Sequence, residues 1–203
     1  MLRVYGDILS GNCYKVKLLL TQLQLPHEWI YTDILTGGTR TPDFLAKNAN
    51  GRIPLLEFEP GRYLAESDAI LFYLAEGTPF LSSHRLERAQ TLQWLFFEQY
   101  SHEPYIATSR YYLVFLKQPE KYKDELARRV KPGHAALGVM ERHLAQQDFF
   151  VGGRYSIADI GLYAYTHVAP EGGFDLAPYP AVRAWLERVR AQPQHVTMAI
   201  GNG

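Results

Sequence analysis

The sequence predicts a small α/β domain followed by an all-α helical domain, and three observations predict it. Residues 1–77 alternate strand-like and helix-like runs in the order β-α-β, then α, then β-β-α. From Leu86 onward the periodic segments are all helical and no convincing strand pattern appears. Between the two, "EGTPFLSS" interrupts the periodicity with Pro79, Ser82 and Ser83. The expected boundaries are therefore a first domain over 1–78, a linker over 79–85 and a second domain over 86–203.

Each element has a local reason. "LRVY" (2–5) alternates in apolar character and reads as a strand. From Asn12 to Gln24, Cys13, Val16, Leu19, Leu20 and Leu23 recur at helical spacing, and Pro26 stops that helix. "EWIYTDI" (28–34) is a second strand, so the three form a βαβ unit with parallel strands. "TGGTRT" (36–41) is a loop, and "TPDFLAKN" (41–48) a short helix with Pro42 in its first turn. "IPLLEFE" and "RYLAES" flank Pro60-Gly61, whose order suits the central positions of a type II turn, so they form a hairpin. "SDAILFYLAEG" (67–77) is a helix with Ser67 at its start and Gly77 at its end.

In the second domain, "ERAQTLQWLFFEQYSHEPYIATSRYYLVFLK" predicts a long helix kinked at Pro104. "PEKYKDELARRVKPGHAALGVMERHLAQQ" predicts another, interrupted at Pro132-Gly133. "YSIADIGLYAYTHV" and "YPAVRAWLERVRAQ" complete the set, the latter with Pro180 in its first turn.

Composition bounds the function. Lysine plus arginine equals aspartate plus glutamate, 21 each, in 203 residues, so no electrostatic footprint for nucleic acid or an anionic membrane appears. The longest apolar run, "AILFYLA" (69–75), is far short of the roughly 20 residues of a membrane span. Arg3, Asp7, Lys15 and Lys17 exclude a signal-peptide apolar core. The single cysteine, Cys13, cannot form an internal disulfide, which fits a reducing, cytoplasmic location. The seven histidines are scattered without ligand spacing, so no metal is expected. No G-x-G-x-x-G or phosphate-binding loop occurs.

Four segments carry chemistry: "SGNCYKV", "NGRIPLL", "LAESDAI" and "YSIADI". In this order and spacing, along essentially the whole chain, they resemble the cytosolic glutathione transferases, with a serine-type, bacterial-like first motif. The resemblance implies a thioredoxin-like first domain that binds glutathione, and a helical second domain that supplies most of the electrophile pocket. It also implies a homodimer.

In "SGNC", a helix start leaves unpaired N–H groups and partial positive charge, which favour an anion. The resemblance makes that anion the thiolate of bound glutathione, with Ser10 as hydroxyl donor and Asn12 as a second donor. A free thiol titrates near pH 8.5, so lowering its pKa by about two units makes most of it reactive at pH 7. Either residue could instead serve only to cap the helix. Cys13 lies on the stripe facing the sheet and reads as a packing residue.

In "NGRIPLL" the resemblance implies a cis bond between Ile53 and Pro54 and a backbone role for Ile53 toward the cysteinyl part of glutathione. Arg52 is a candidate for a carboxylate of the peptide, with a solvated surface cation as the alternative; Thr39 in the preceding loop, with Arg40 beside it, matches a position that in relatives contacts the glycine end. In "LAESDAI", Ser67 at a helix start suits the γ-glutamyl carboxylate and Glu66 suits the ammonium group. Asp68 is read as a first-turn acid favouring the helix dipole. In "YSIADI", Ser156 and Asp159 have capping-box spacing, a folding element. Tyr105, Ser109 and Tyr112 share one predicted helical face, and the resemblance makes Tyr105 and Ser109 candidate electrophile contacts; helix packing is the alternative.

The expected activity is conjugation of the glutathione thiolate to small hydrophobic electrophiles, a detoxification chemistry. A glutathione-dependent disulfide or peroxide reductase, and a non-catalytic binding or regulatory module on the same fold, are the alternatives.

Overall fold

The computed structural model describes residues 1–198 and divides them into two compact units. The first takes Met1–Glu76 and also residues 193–198; the second is Gly77–Gln192. This differs from the expected boundary, which left the whole chain after residue 85 in the helical domain. The tail returns because Tyr14, almost fully buried, donates its hydroxyl to the Val196 carbonyl at 2.7 Å and lies 3.3 Å from His195 Nε2.

In the first unit, β1 (Leu2–Gly6), α1 (Gly11–Gln22) and β2 (His27–Tyr31) form the βαβ unit, with Val4 opposite Trp29 in a parallel pair. After α2 (Pro42–Lys47), capped by Thr41, the hairpin β3 (Leu55–Glu59) and β4 (Arg62–Ala65) adds antiparallel strands. The strand order is β2-β1-β3-β4. Gly61 sits at φ 72°, as the second central position of a type II turn requires. Helix α3 (Ser67–Ala75) packs against α1. Val4, Cys13, Val16, Leu20, Leu55, Leu56, Ile70 and Leu71 are wholly buried and form the core between sheet and helices.

Two details of this unit depart from expectation. The second strand ends at Tyr31, three residues early, because Asp33 turns the chain by accepting from the Leu35 and Thr36 backbones. Ser67 is not the cap of α3: Glu66 holds the capping position and Ser67 is the first helical residue.

The second unit is helical. Its first segment alternates α and π geometry: α4 (Arg85–Phe97), a π-helical turn Glu98–His102, α5 (Glu103–Arg110) and a second π-helical turn Tyr111–Phe115. The expected kink at Pro104 is thus a change of helix type. Proline has no N–H for the preceding turn, and the wider turn shifts the bonding so that Glu103 donates to Glu98. The second π turn breaks the expected face after Ser109; Tyr112 instead stacks on Tyr122 with centroids 4.0 Å apart.

Helix α6 (Lys123–Leu144) runs unbroken through Pro132, contrary to the expected interruption. Gly133 is there for close packing: a Cβ would come within 2.3 Å of the Phe174 ring. Helices α7 (Ile157–Thr166) and α8 (Pro180–Arg190) complete the unit. The capping box of α7 is complete, with Ser156 and Asp159 bonded in both directions. Asp159 also accepts from the Phe150 N–H and the Trp185 indole, so it joins three segments in a core of Trp94, Phe150, Tyr163 and Trp185. Among the described residues no helix is long and apolar enough to cross a membrane.

Candidate functional site

The first unit gathers the sequence-predicted residues around two helix starts. At α1, Asp7 sets the approach: its carboxylate accepts from the Leu9 N–H at 2.9 Å and its carbonyl from the Ser10 N–H at 3.0 Å. Ser10 therefore enters the capping position in extended geometry, and its Oγ accepts from the Cys13 N–H at 3.5 Å. That bond is long, and it uses the oxygen as acceptor. Ser10 is thus the cap of α1, the structural one of its two sequence readings.

Cys13 lies beneath, wholly buried, and burial pushes its thiol up to about 12, against the opposing Ser10 contact. A group so held is neither a nucleophile nor a resolving thiol at neutral pH.

At α3, Glu66 adopts φ 67°, ψ 116° and makes no side-chain capping bond. A non-glycine residue at positive φ costs about 1–3 kcal/mol and persists where the surroundings impose it, commonly at binding sites. The consequence is an exposed carboxylate beside the N–H groups of the first turn of α3. An acid next to free N–H donors is a pair of opposite recognition elements on adjacent residues. It suits a ligand carrying an ammonium and a carboxylate on one carbon.

The two helix starts are joined. Ser67 is buried, and its hydroxyl donates to Asn12 Oδ1 at 3.2 Å. Behind it lies Lys15, whose ammonium donates to Ser67 Oγ at 3.3 Å and to Asp68 Oδ1 at 3.1 Å. Lys15 is wholly buried. Sequence reasoning missed it: in "YKVK" it looks like one of two ordinary surface lysines. Asp68 stands in the first turn of α3, as the sequence implies, and also pairs with Lys15.

The third side of the site is the loop before β3. The Ile53–Pro54 bond is cis, as expected. Ile53 lies just before Leu55, the first residue paired on either edge of β3. Asn48 organises this loop, donating to the Arg52 carbonyl at 2.9 Å and accepting from the Asn50 N–H at 3.1 Å. The Arg52 side chain is exposed. Arg40 reaches the same loop, donating to the Asn50 carbonyl at 3.3 Å, while Thr39 is buried in a short 3-10 turn.

In the second unit, Tyr105 is half-buried on α5. Ser109 is buried, and its hydroxyl donates to the Tyr105 carbonyl at 2.7 Å, which uses its one proton.

Comparison with known proteins gives the family. Residues 9–76 match the glutathione S-transferase N-terminal domain, and residues 94–193 the glutathione S-transferase C-terminal domain. The disulfide-bond oxidoreductase YfcG of Escherichia coli (strain K12) is 34% identical over 196 residues, covering 91% of this chain and 88% of the relative. The crystal structure of a glutathione S-transferase from Pseudomonas fluorescens Pf-5 superposes with a TM-score of 0.95 at 56% identity, covering 97% of this chain and 98% of that one. A glutathione transferase from Pseudomonas putida, with one glutathione disulfide bound per subunit, superposes with a TM-score of 0.82 at 28% identity, covering 95% and 88%. With both domain profiles matched in order and the whole fold shared, the chain belongs to the glutathione S-transferase family.

Proposed function

We propose that the chain is a glutathione-dependent transferase that joins the glutathione sulfur to a small hydrophobic electrophile. The carrying observation is the linked pair of helix starts, with Ser10 capping α1 and Asn12 bonded to Ser67 at α3. In this reading Glu66 pairs with the γ-glutamyl ammonium, the first turn of α3 takes the neighbouring carboxylate, and the Ile53 backbone takes the cysteinyl part. Arg52, Arg40 and Thr39 stand toward the glycine end. The thiol then meets Ser10 and the start of α1, where its proton passes to solvent water and its charge is stabilised. The thiolate attacks an electrophilic carbon, forming a C–S bond as the leaving group departs with its electron pair. Tyr105, half-buried on α5, is the candidate contact for that second substrate; Ser109, whose proton goes to the Tyr105 carbonyl, contributes through packing. Family resemblance supports a cytoplasmic homodimer.

A second reading is reduction of disulfides, supported by the likeness to YfcG and to a neighbour holding glutathione disulfide. Here the thiolate attacks a disulfide sulfur, and a second glutathione resolves the mixed disulfide, so two electrons come from two glutathiones. Neither step requires Cys13.

The test is calorimetric titration with glutathione, followed by thiolate absorbance of the complex against pH. The expected result is binding below millimolar concentration and a bound-thiol pKa about two units under the free value of about 8.5, partly restored in Ser10→Ala. No binding at millimolar glutathione refutes the proposal. Relative rates on an electrophile panel and a disulfide panel separate the two readings.

A further inference from the structure

We propose that Lys15 is a positioning residue for the bound thiolate, acting through Ser67 and Asn12; this rests on the glutathione-binding reading above. The side chain is wholly buried, which a lysine tolerates only when paired. Its carboxylate partner is Asp68 at 3.1 Å, and its neighbour on the site side is Ser67 Oγ at 3.3 Å. An ammonium can only donate. Ser67 Oγ accepts that bond, and its own proton goes forward to Asn12 Oδ1 at 3.2 Å. The chain of donors thus has one direction, from Lys15 through Ser67 to the amide oxygen of Asn12. With its oxygen held by Ser67, Asn12 is oriented to offer its NH2 as donor rather than its oxygen, which would repel a thiolate.

A structural tether between α1 and α3 would explain the ion pair alone. It does not explain why the ammonium is also shared with the hydroxyl that bonds Asn12. That sharing fits a cation held in place to polarise a neighbouring chain of donors at some cost in stability.

The experiment uses the full chain. In Lys15→Met the relay loses its source; in Lys15→Met/Asp68→Leu the pair is replaced by apolar side chains, so no stranded carboxylate threatens folding. Circular dichroism establishes which variants are folded, and the bound-thiol pKa is read from thiolate absorbance with saturating glutathione. The expected result in each folded variant is a pKa raised by about one unit and glutathione affinity lower by about tenfold. Adding Asn12→Ala to the double variant should then shift the pKa little further, since both act through one chain. A folded double variant with the wild-type thiol pKa overturns the proposal and leaves the glutathione reading standing. Absence of glutathione binding in the wild type instead removes the reading beneath it.

Discussion

Replacing Asp159 with alanine should destabilise the helical unit by about 3–5 kcal/mol while sparing the glutathione site. The side chain is wholly buried. Oδ1 accepts from the Trp185 indole at 2.9 Å and the Phe150 N–H at 3.2 Å; Oδ2 accepts from the Ser156 N–H at 2.9 Å and its hydroxyl at 3.1 Å. The substitution strands two backbone donors and an indole, while the Ser156 hydroxyl can rotate. Each stranded donor costs about 1–3 kcal/mol, and the burial cost of the lost carboxylate offsets part of the sum. At a urea slope of about 2–3 kcal/mol per molar, the midpoint should fall by about 1.5 M. Two of the three tryptophans, Trp94 and Trp185, lie in this unit, so fluorescence follows its unfolding. Burial pushes the Asp159 carboxyl up from 3.8 to about 6, against its hydrogen bonds. With the folded value raised, the group's contribution is full below 3.8 and is lost as pH rises through about 6. The wild-type advantage over Asp159→Ala should therefore shrink across that window and stay level above it. A loss under about 1 kcal/mol would refute the accounting, and loss of glutathione binding in the folded variant would refute the separation of roles.

Two further outcomes follow from the same packing. Cys13, with its thiol near 12 and no exposure, should resist a disulfide reagent in the native protein at pH 8 and react fully only in denaturant; Cys13→Ala should keep whatever disulfide-reducing rate the wild type has, and its loss would make the protein thiol essential. Gly133→Ala should lower stability by about 1–3 kcal/mol although alanine favours a helix, because its Cβ falls 2.3 Å from a Phe174 ring atom; recovery in Gly133→Ala/Phe174→Leu, read by thermal melting, checks that the ring is the cause, and a neutral Gly133→Ala refutes it.

Most elements and their order were legible along the chain, because periodicity, caps and turn residues act within a few positions. The Pro60-Gly61 turn, the helix starting at Pro180 and the Ser156–Asp159 box all appear in the structure as read. The four motifs also sufficed to assign the family. Tertiary structure decided what depends on distant partners. Lys15 looks solvated until Ser67 and Asp68, 52 and 53 positions away, close over it. Gly133 looks like a helix breaker until Phe174 needs its missing side chain. The tail looks like the end of the helical domain until Tyr14 draws Val196 back to the first unit. In "SGNC" the serine was legible as the cap of a helix start. That Asn12 is oriented by a buried cation behind Ser67 was not, since a charge's meaning is set by what encloses it.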